Sequence, residues 1–293
     1  MEKPGVPAVT PLKAGRRAGK QLSRRRPARH FELDTGSNLR GTVRLATYLG
    51  VTVSLGVVQL ALLLSRSRGA RLLPRFYHRL TCRIVGIDVE QRGAISTAYP
   101  TLFVSNHGSY LDIPILGGLI EGSFVAKTEV ARWPVFGWLA RMQRTVFVDR
   151  KRGTAHRQRD DLQRRLDAGD NLVLFPEGTS SDGNRVLPFR SALFSVAERE
   201  VGGRPLTVQP VSVAYVGMGA LPMGHRNRPY LAWYGDMTLG AHLWNFTRLQ
   251  RVRVVVEFHA PVSIADFGSR KALAQYCYEK ISNGVSAAIA GRI

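Results

Sequence analysis

TLFVSNHGSYLD, residues 101–112, decides the fold. Thr101–Ser105 is a short apolar run of the kind that forms a strand buried on both faces, Gly108 and Ser109 supply a turn, and a helix-length stretch follows over 110–119. A strand that passes through a tight turn into a helix is the repeating unit of an α/β domain, whose chemistry gathers at the strand ends. The turn also carries two side chains with complementary chemistry. His107 can exchange a proton near neutral pH, and Asp112 can fix its tautomer and stabilise the imidazolium. Positions five apart lie about 140° apart round a regular helix. The pair therefore meets only if the turn bends the imidazole back over the first helical turn, with Ser109 as the expected N-cap.

The same alternation continues outward. Apolar runs at 123–127, 144–148, 171–175, 207–215 and 252–258 read as further strands, and helix-length segments fall at 135–142, 153–168, 188–199, 239–249 and 269–289. Strands separated by helices predict an α/β domain over 85–293, with a largely parallel sheet and helices on its faces.

The run 171–175 ends in a second polar loop, Phe175-Pro-Glu-Gly-Thr-Ser-Ser-Asp-Gly183. Proline, two glycines and three hydroxyl residues make a tight turn whose backbone N–H groups can face a ligand. Glu177 at the strand end has two readings, a structural role or a holder of a substrate hydroxyl. Neither loop contains G-x-S-x-G, which argues against a serine hydrolase.

Composition narrows the class. The chain has 293 residues, 44% of them hydrophobic, enough for a sizeable core. Its two cysteines, Cys82 and Cys277, are too few for a disulfide scaffold and lack metal-ligand spacing, which points to a reducing compartment and to no metal. The net charge of +21 attracts polyanions: nucleic acid, an anionic membrane leaflet or an acidic carrier protein.

The N-terminal region chooses among these. Residues 1–44 hold eleven Lys or Arg against three acids and read as a basic flexible tail. Residues 45–64, LATYLGVTVSLGVVQLALLL, carry no charge. As a helix they reach roughly 30 Å, the thickness of a bilayer's hydrocarbon core. Residues 71–88 mix basic and apolar positions as an interfacial helix does. Basic residues flank both ends of the apolar run, so a simple span would place one cluster against the positive-inside tendency. A membrane anchor over 45–84 is expected, lying on or dipping into the cytoplasmic leaflet, with a single span as the alternative.

The two loops, in this order and about seventy residues apart, resemble the glycerolipid (1-acylglycerol-3-phosphate) O-acyltransferase family. The resemblance runs from about residue 71 to the C-terminus and rests on the HX4D motif from His107 to Asp112 and on FPEGT. Lys127, Pro134, Gly137 and Phe147–Arg150 match the block between them, and Val208, Pro210 and Val211 match the last. The stretch FPEGTSSDGNRVLPFRSALF, with WYGDM at 233–237 and His242, Leu243 and Trp244, is similar to the branch that acylates lyso-ornithine lipid.

The resemblance implies a membrane enzyme of lipid biosynthesis, with 85–293 as its acyltransferase domain at the cytoplasmic face of the inner membrane. A fatty acyl chain would pass in one step from a thioester donor, acyl-ACP or acyl-CoA, to the free hydroxyl of a lysolipid acceptor. No cofactor is required. It implies His107 and Asp112 as catalytic residues and Lys127, Arg150, Glu177, Gly178, Thr179 and Ser180 as substrate-binding. Family members place an arginine after E-G-T, read as a second phosphate anchor beside the one matched by Arg150. Ser180 stands there instead, which favours a headgroup without phosphate over 1-acyl-sn-glycerol-3-phosphate. Arg185 or Arg190 is a possible substitute from the same loop. A basic nucleic-acid-binding module is the rival from another class; it lacks a recognisable motif and leaves the apolar segment unexplained.

Overall fold

The computed structural model describes residues 36–148 and 155–292, with the backbone alone over 155–159. Seven strands form the main path of its sheet: β1 (Ile87–Arg92), β2 (Thr101–Ser105), β3 (Ser123–Lys127), β4 (Val146–Val148), β5 (Leu172–Leu174), β8 (Thr207–Met218) and β10 (Val252–Phe258), in the spatial order β1-β10-β8-β2-β5-β3-β4. All neighbours on that path are parallel except β8 and β10, which run antiparallel. Two minor strands, β6 (Glu200–Val201) and β7 (Arg204–Pro205), make a separate hairpin, and β9 (Leu221–Pro222) folds back on β8.

Strand β2 is buried throughout because the sheet is covered on both faces. Phe103 points into one core layer, with residues of the helices α2 (Gly69–Val85), α3 (Asp112–Leu119) and α6 (Leu239–Arg248). Leu102 and Val104 point into the other, against α5 (Ala155–Asp167) and α7 (Arg270–Ile289). This alternation along one strand builds the α/β/α layering. The segment expected as a helix over 188–199 is a 3-10 helix, Ser191–Glu198, and β1 is a strand the periodicity does not announce.

The apolar run is the body of a longer helix, α1 (Asn38–Leu64), which starts inside the stretch read as tail and is capped by Ser37 accepting from the Arg40 N–H. Only 17% of its most apolar window is buried, and Leu49, Val53, Val57, Val58, Leu60 and Leu64 face outward. Such a surface suits a protein associated with membranes. One side chain fixes how α1 docks. Pro74 lies inside α2 and has no N–H to give the Ala70 carbonyl. Gln59 of α1 takes that place: its Nε2 donates to the Ala70 carbonyl at 3.0 Å and to the Met142 carbonyl, at the end of α4 (Phe136–Met142), at 2.9 Å.

Candidate active site

At the end of β2 the Asn106 amide extends the ladder by one side chain: its Nδ2 donates to the Val213 carbonyl at 2.9 Å, and the Val213 N–H donates back to Oδ1 at 2.8 Å. The backbone then turns over Asp112. The N–H groups of Gly108 and Ser109 donate to Asp112 Oδ2 at 2.8 and 2.9 Å, and His107 Nδ1 meets the same oxygen at 2.8 Å. The Tyr215 hydroxyl donates to Oδ1 at 2.7 Å. A buried carboxylate is costly unless it is hydrogen-bonded, and these four partners offset that cost. The expected N-cap role of Ser109 is not what holds the turn. The Ser109 hydroxyl has no partner; the Asp112 N–H donates to the Ser109 carbonyl at 3.1 Å, and the Asp112 carboxylate reaches back to the N–H groups that precede the helix.

His107 stacks on Phe175, with ring centroids 4.2 Å apart and planes at 22°. The carboxylate on Nδ1 sets the tautomer, so Nε2 is the nitrogen left for a ligand.

The loop after β5 grips the same turn from behind. Glu177 accepts the His107 N–H on Oε1 at 2.7 Å and the Leu187 N–H on Oε2 at 3.0 Å, while the Ser181 N–H donates to the His107 carbonyl at 2.8 Å. Burial pushes the Glu177 carboxyl up to about 8, against the pull of those two N–H groups. Gly178 sits at φ +68°, where a Cβ is disfavoured, which lets the loop reverse directly after Glu177. A third loop closes the ring: the Ser180 hydroxyl donates to the Trp233 carbonyl, and the Trp233 N–H donates to the Gly108 carbonyl at 3.0 Å. Arg228, itself buried, ties this assembly together by donating to the Tyr215 and Met223 carbonyls at 3.1 and 2.8 Å and to Asn184 Oδ1.

His107 opens onto a cavity of about 680 Å³, within the range of small-molecule sites. Lys127, Gly178, Thr179 and Ser180 line it with His107, and Phe124, Phe175, Leu73 and Gly56 give it apolar walls. Asp112 and Glu177 stand behind the cavity rather than in its lining, and both Glu177 oxygens are taken by backbone N–H groups, as its structural reading expects. Arg185 and Arg190 are exposed and absent from the lining. Arg150 lies outside the described residues. Tyr215 and Arg228 were given no role by sequence reasoning: Tyr215 closes the predicted strand 207–215 with nothing to mark it, and Arg228 sits in a loop without a motif.

Among the described residues no group of three or more His, Cys, Asp or Glu side chains gathers as a metal site would. Both cysteines are buried and free.

Residues 86–214 match the family model described as Acyltransferase. The chain is 41% identical over 260 residues to the lyso-ornithine lipid O-acyltransferase of Brucella abortus (strain 2308), covering 86% of this chain and 97% of that one. It is 39% identical over 257 residues to the enzyme of the same name from Rhizobium meliloti (strain 1021), covering 85% and 88%. The crystal structure of the 1-acyl-sn-glycerophosphate acyltransferase of Thermotoga maritima superimposes with a TM-score of 0.60 at 24% identity, over 85% of this chain and 95% of that one, a likeness of fold. With a relative matched along nearly its whole length, the chain belongs to the acyltransferase family and is an O-acyltransferase.

Proposed function

We propose that this membrane-associated enzyme moves a fatty acyl chain from a thioester donor to the free hydroxyl of lyso-ornithine lipid, working at the cytoplasmic face of the inner membrane. The observation that carries the proposal is the 2.8 Å contact of His107 Nδ1 with Asp112 at the edge of an apolar cavity. His107 Nε2 takes the proton of the lysolipid hydroxyl as that oxygen attacks the thioester carbonyl. When the tetrahedral intermediate collapses, the C–S bond breaks and the imidazolium returns the proton to the departing thiolate. Asp112 keeps Nε2 free to accept and stabilises the charged ring. General base catalysis of this kind supplies about 10²- to 10⁴-fold, and the remainder is owed to holding both chains in place.

Two features support the choice of acceptor. Two relatives, 41% and 39% identical and matched over most of their length, carry that name. Ser180, where the family's second phosphate anchor is expected, spends its hydroxyl on the Trp233 carbonyl and offers no positive charge. Lys127 and the Gly178–Ser180 turn line the cavity where an acceptor headgroup would lie, and Arg150 is proposed to join them. The donor is an acyl group on acyl-carrier protein or coenzyme A, steered by the positive charge of the chain. The same charge favours an anionic leaflet, and the outward apolar face of α1 makes nucleic acid the poorer partner.

A side-by-side assay of purified enzyme with lyso-ornithine lipid and 1-acyl-sn-glycerol-3-phosphate, using one radiolabelled acyl donor, tests the proposal. A higher kcat/KM for lyso-ornithine lipid is expected, and the opposite preference overturns the acceptor.

A further inference from the structure

The cavity that His107 opens onto is mainly apolar, yet its wall contains polar atoms with nothing to bond. His78 of α2 is 6% exposed, and neither of its ring nitrogens makes a hydrogen bond of normal geometry; its polar neighbour is the Gln143 side chain, whose weak contact favours the protonated ring less than burial disfavours it. Three positions on, and so on the same side of α2, the Thr81 hydroxyl is also buried and unpaired. Both residues line the cavity. Leaving a buried polar group unsatisfied costs about 1–3 kcal/mol, and a chamber that held only hydrocarbon would leave both so.

The ring is held firmly. Gly117 of α3 makes room for it, since a Cβ there would come within 2.5 Å of His78 Cδ2. Phe124 meets it edge to face at a centroid distance of 6.5 Å, and the Tyr77 ring lies 5.4 Å away. Phe124 in turn stacks on Phe175 at 6.1 Å, and Phe175 on His107 at 4.2 Å. One wall of aromatic rings thus runs from the reacting imidazole to the buried one, and a chain whose end lies at His107 would follow it to His78.

We infer that His78 and Thr81 form a recognition point for a hydroxyl group carried part-way along the fatty chain that fills the cavity. The inference rests on the reading of the cavity as the lipid chamber of the transfer reaction. The chemistry selects a small, neutral group that both donates and accepts. Burial lowers the His78 pKa to about 4, so at neutral pH the ring is uncharged, with one donor nitrogen and one acceptor nitrogen. An anionic group would meet no positive charge there, and a plain methylene chain would leave both side chains unpaired. The hydroxylated chain has two sources, the acyl donor or the lysolipid's own chain.

The test walks a single hydroxyl along the chain of otherwise identical substrates, first on the acyl thioester and then, in a second arm, on the acceptor. The readout is the ratio of kcat/KM for the hydroxylated chain to that for the plain chain of equal length. For wild type one position in one arm is expected to give a ratio of about ten. In His78→Phe and in the near-isosteric Thr81→Val the ratio at that position falls to about one. A general packing defect would lower both rates and leave the ratio unchanged, and Thr81→Val serves if His78→Phe does not fold. No favoured position in either arm, or a preference that persists in the variants, overturns the inference. Loss of the preference is distinguishable from failure of the underlying reading, because plain chains would still be transferred by a mechanism that His107→Ala abolishes.

Discussion

Tyr215 and Asp112, 103 positions apart in the chain, meet at 2.7 Å, so the carboxylate that orients His107 is itself held from β8. The phenol donates to Oδ1 and leaves Oδ2 to the imidazole and the two turn N–H groups. Tyr215→Phe removes one charge-assisted hydrogen bond without changing the shape of the core. Such bonds contribute about 1.5–3 kcal/mol, and each 1.36 kcal/mol is about a tenfold change in rate if it acts on the transition state. The variant is expected to lose about tenfold in kcat while KM stays within about twofold. Unchanged kcat would show that the carboxylate does not need its second anchor.

His107→Ala is expected to reduce acyl transfer by at least about 10²-fold while leaving expression and membrane association intact. The side chain is 22% exposed and lines the cavity, so its loss opens no closed core void. Retained transfer measured with radiolabelled donor would remove the imidazole from the mechanism.

Glu177 gives a pH signature. Its folded-state value is raised from 4.5 to about 8 by burial, so the folded protein holds this proton more tightly than the unfolded chain does. The corresponding stability is fully present below about pH 4.5 and is lost as pH rises through about 8. Denaturation of detergent-solubilised protein at several pH values should therefore show wild type losing stability relative to Glu177→Gln across that window. Parallel profiles would mean that the two N–H bonds, rather than burial, control the carboxyl.

Ser180→Arg tests the acceptor from the protein side. The substitution breaks the hydroxyl's bond to the Trp233 carbonyl, worth about 1 kcal/mol, and puts a bulky cation beside the 233–237 loop. Turnover of lyso-ornithine lipid is expected to stay level or fall. An increase would mean that a positive charge is wanted at this position.

The outward face of α1 predicts how the protein partitions. Val53 and Val57 are 65% and 67% exposed. Fully burying a valine side chain gains about 1.5–3 kcal/mol, so each change to lysine should weaken binding to vesicles at least about tenfold in a flotation assay. Undiminished binding of Val53→Lys/Val57→Lys would move the contact elsewhere.

Much of this arrangement was legible in the sequence where a local pattern produces it. TLFVS is apolar enough to be buried on both faces, and the spacing from His107 to Asp112 demanded the turn that the structure contains. Other parts depend on distant residues. IDVEQR carries too few apolar positions to announce β1, which forms because Ile87 and Val89 pair in register with Val252 and Val254 at the edge of the sheet. Ser109 has the chemistry of a cap, but its hydroxyl stays unpaired: the Asp112 N–H donates to the Ser109 carbonyl, and the Asp112 carboxylate reaches back to the N–H groups of Gly108 and Ser109. Nothing near Tyr215 in the chain marks it as a partner of Asp112, because the contact exists only once β8 lies beside β2. The unpaired atoms of His78 and Thr81 were equally hidden, since an amphipathic pattern shows which face of α2 is turned inward and not what it meets there.

Gln59 binds α1 to the proline gap of α2 and to the end of α4, and Gly56 beside it lies against Trp138; all three helices border the chamber. The greasy N-terminal helix is therefore masonry as well as mooring. An enzyme trimmed of this helix to make it soluble would lose a side of that room, so deleting the helix is expected to cost acyl transfer as well as membrane association.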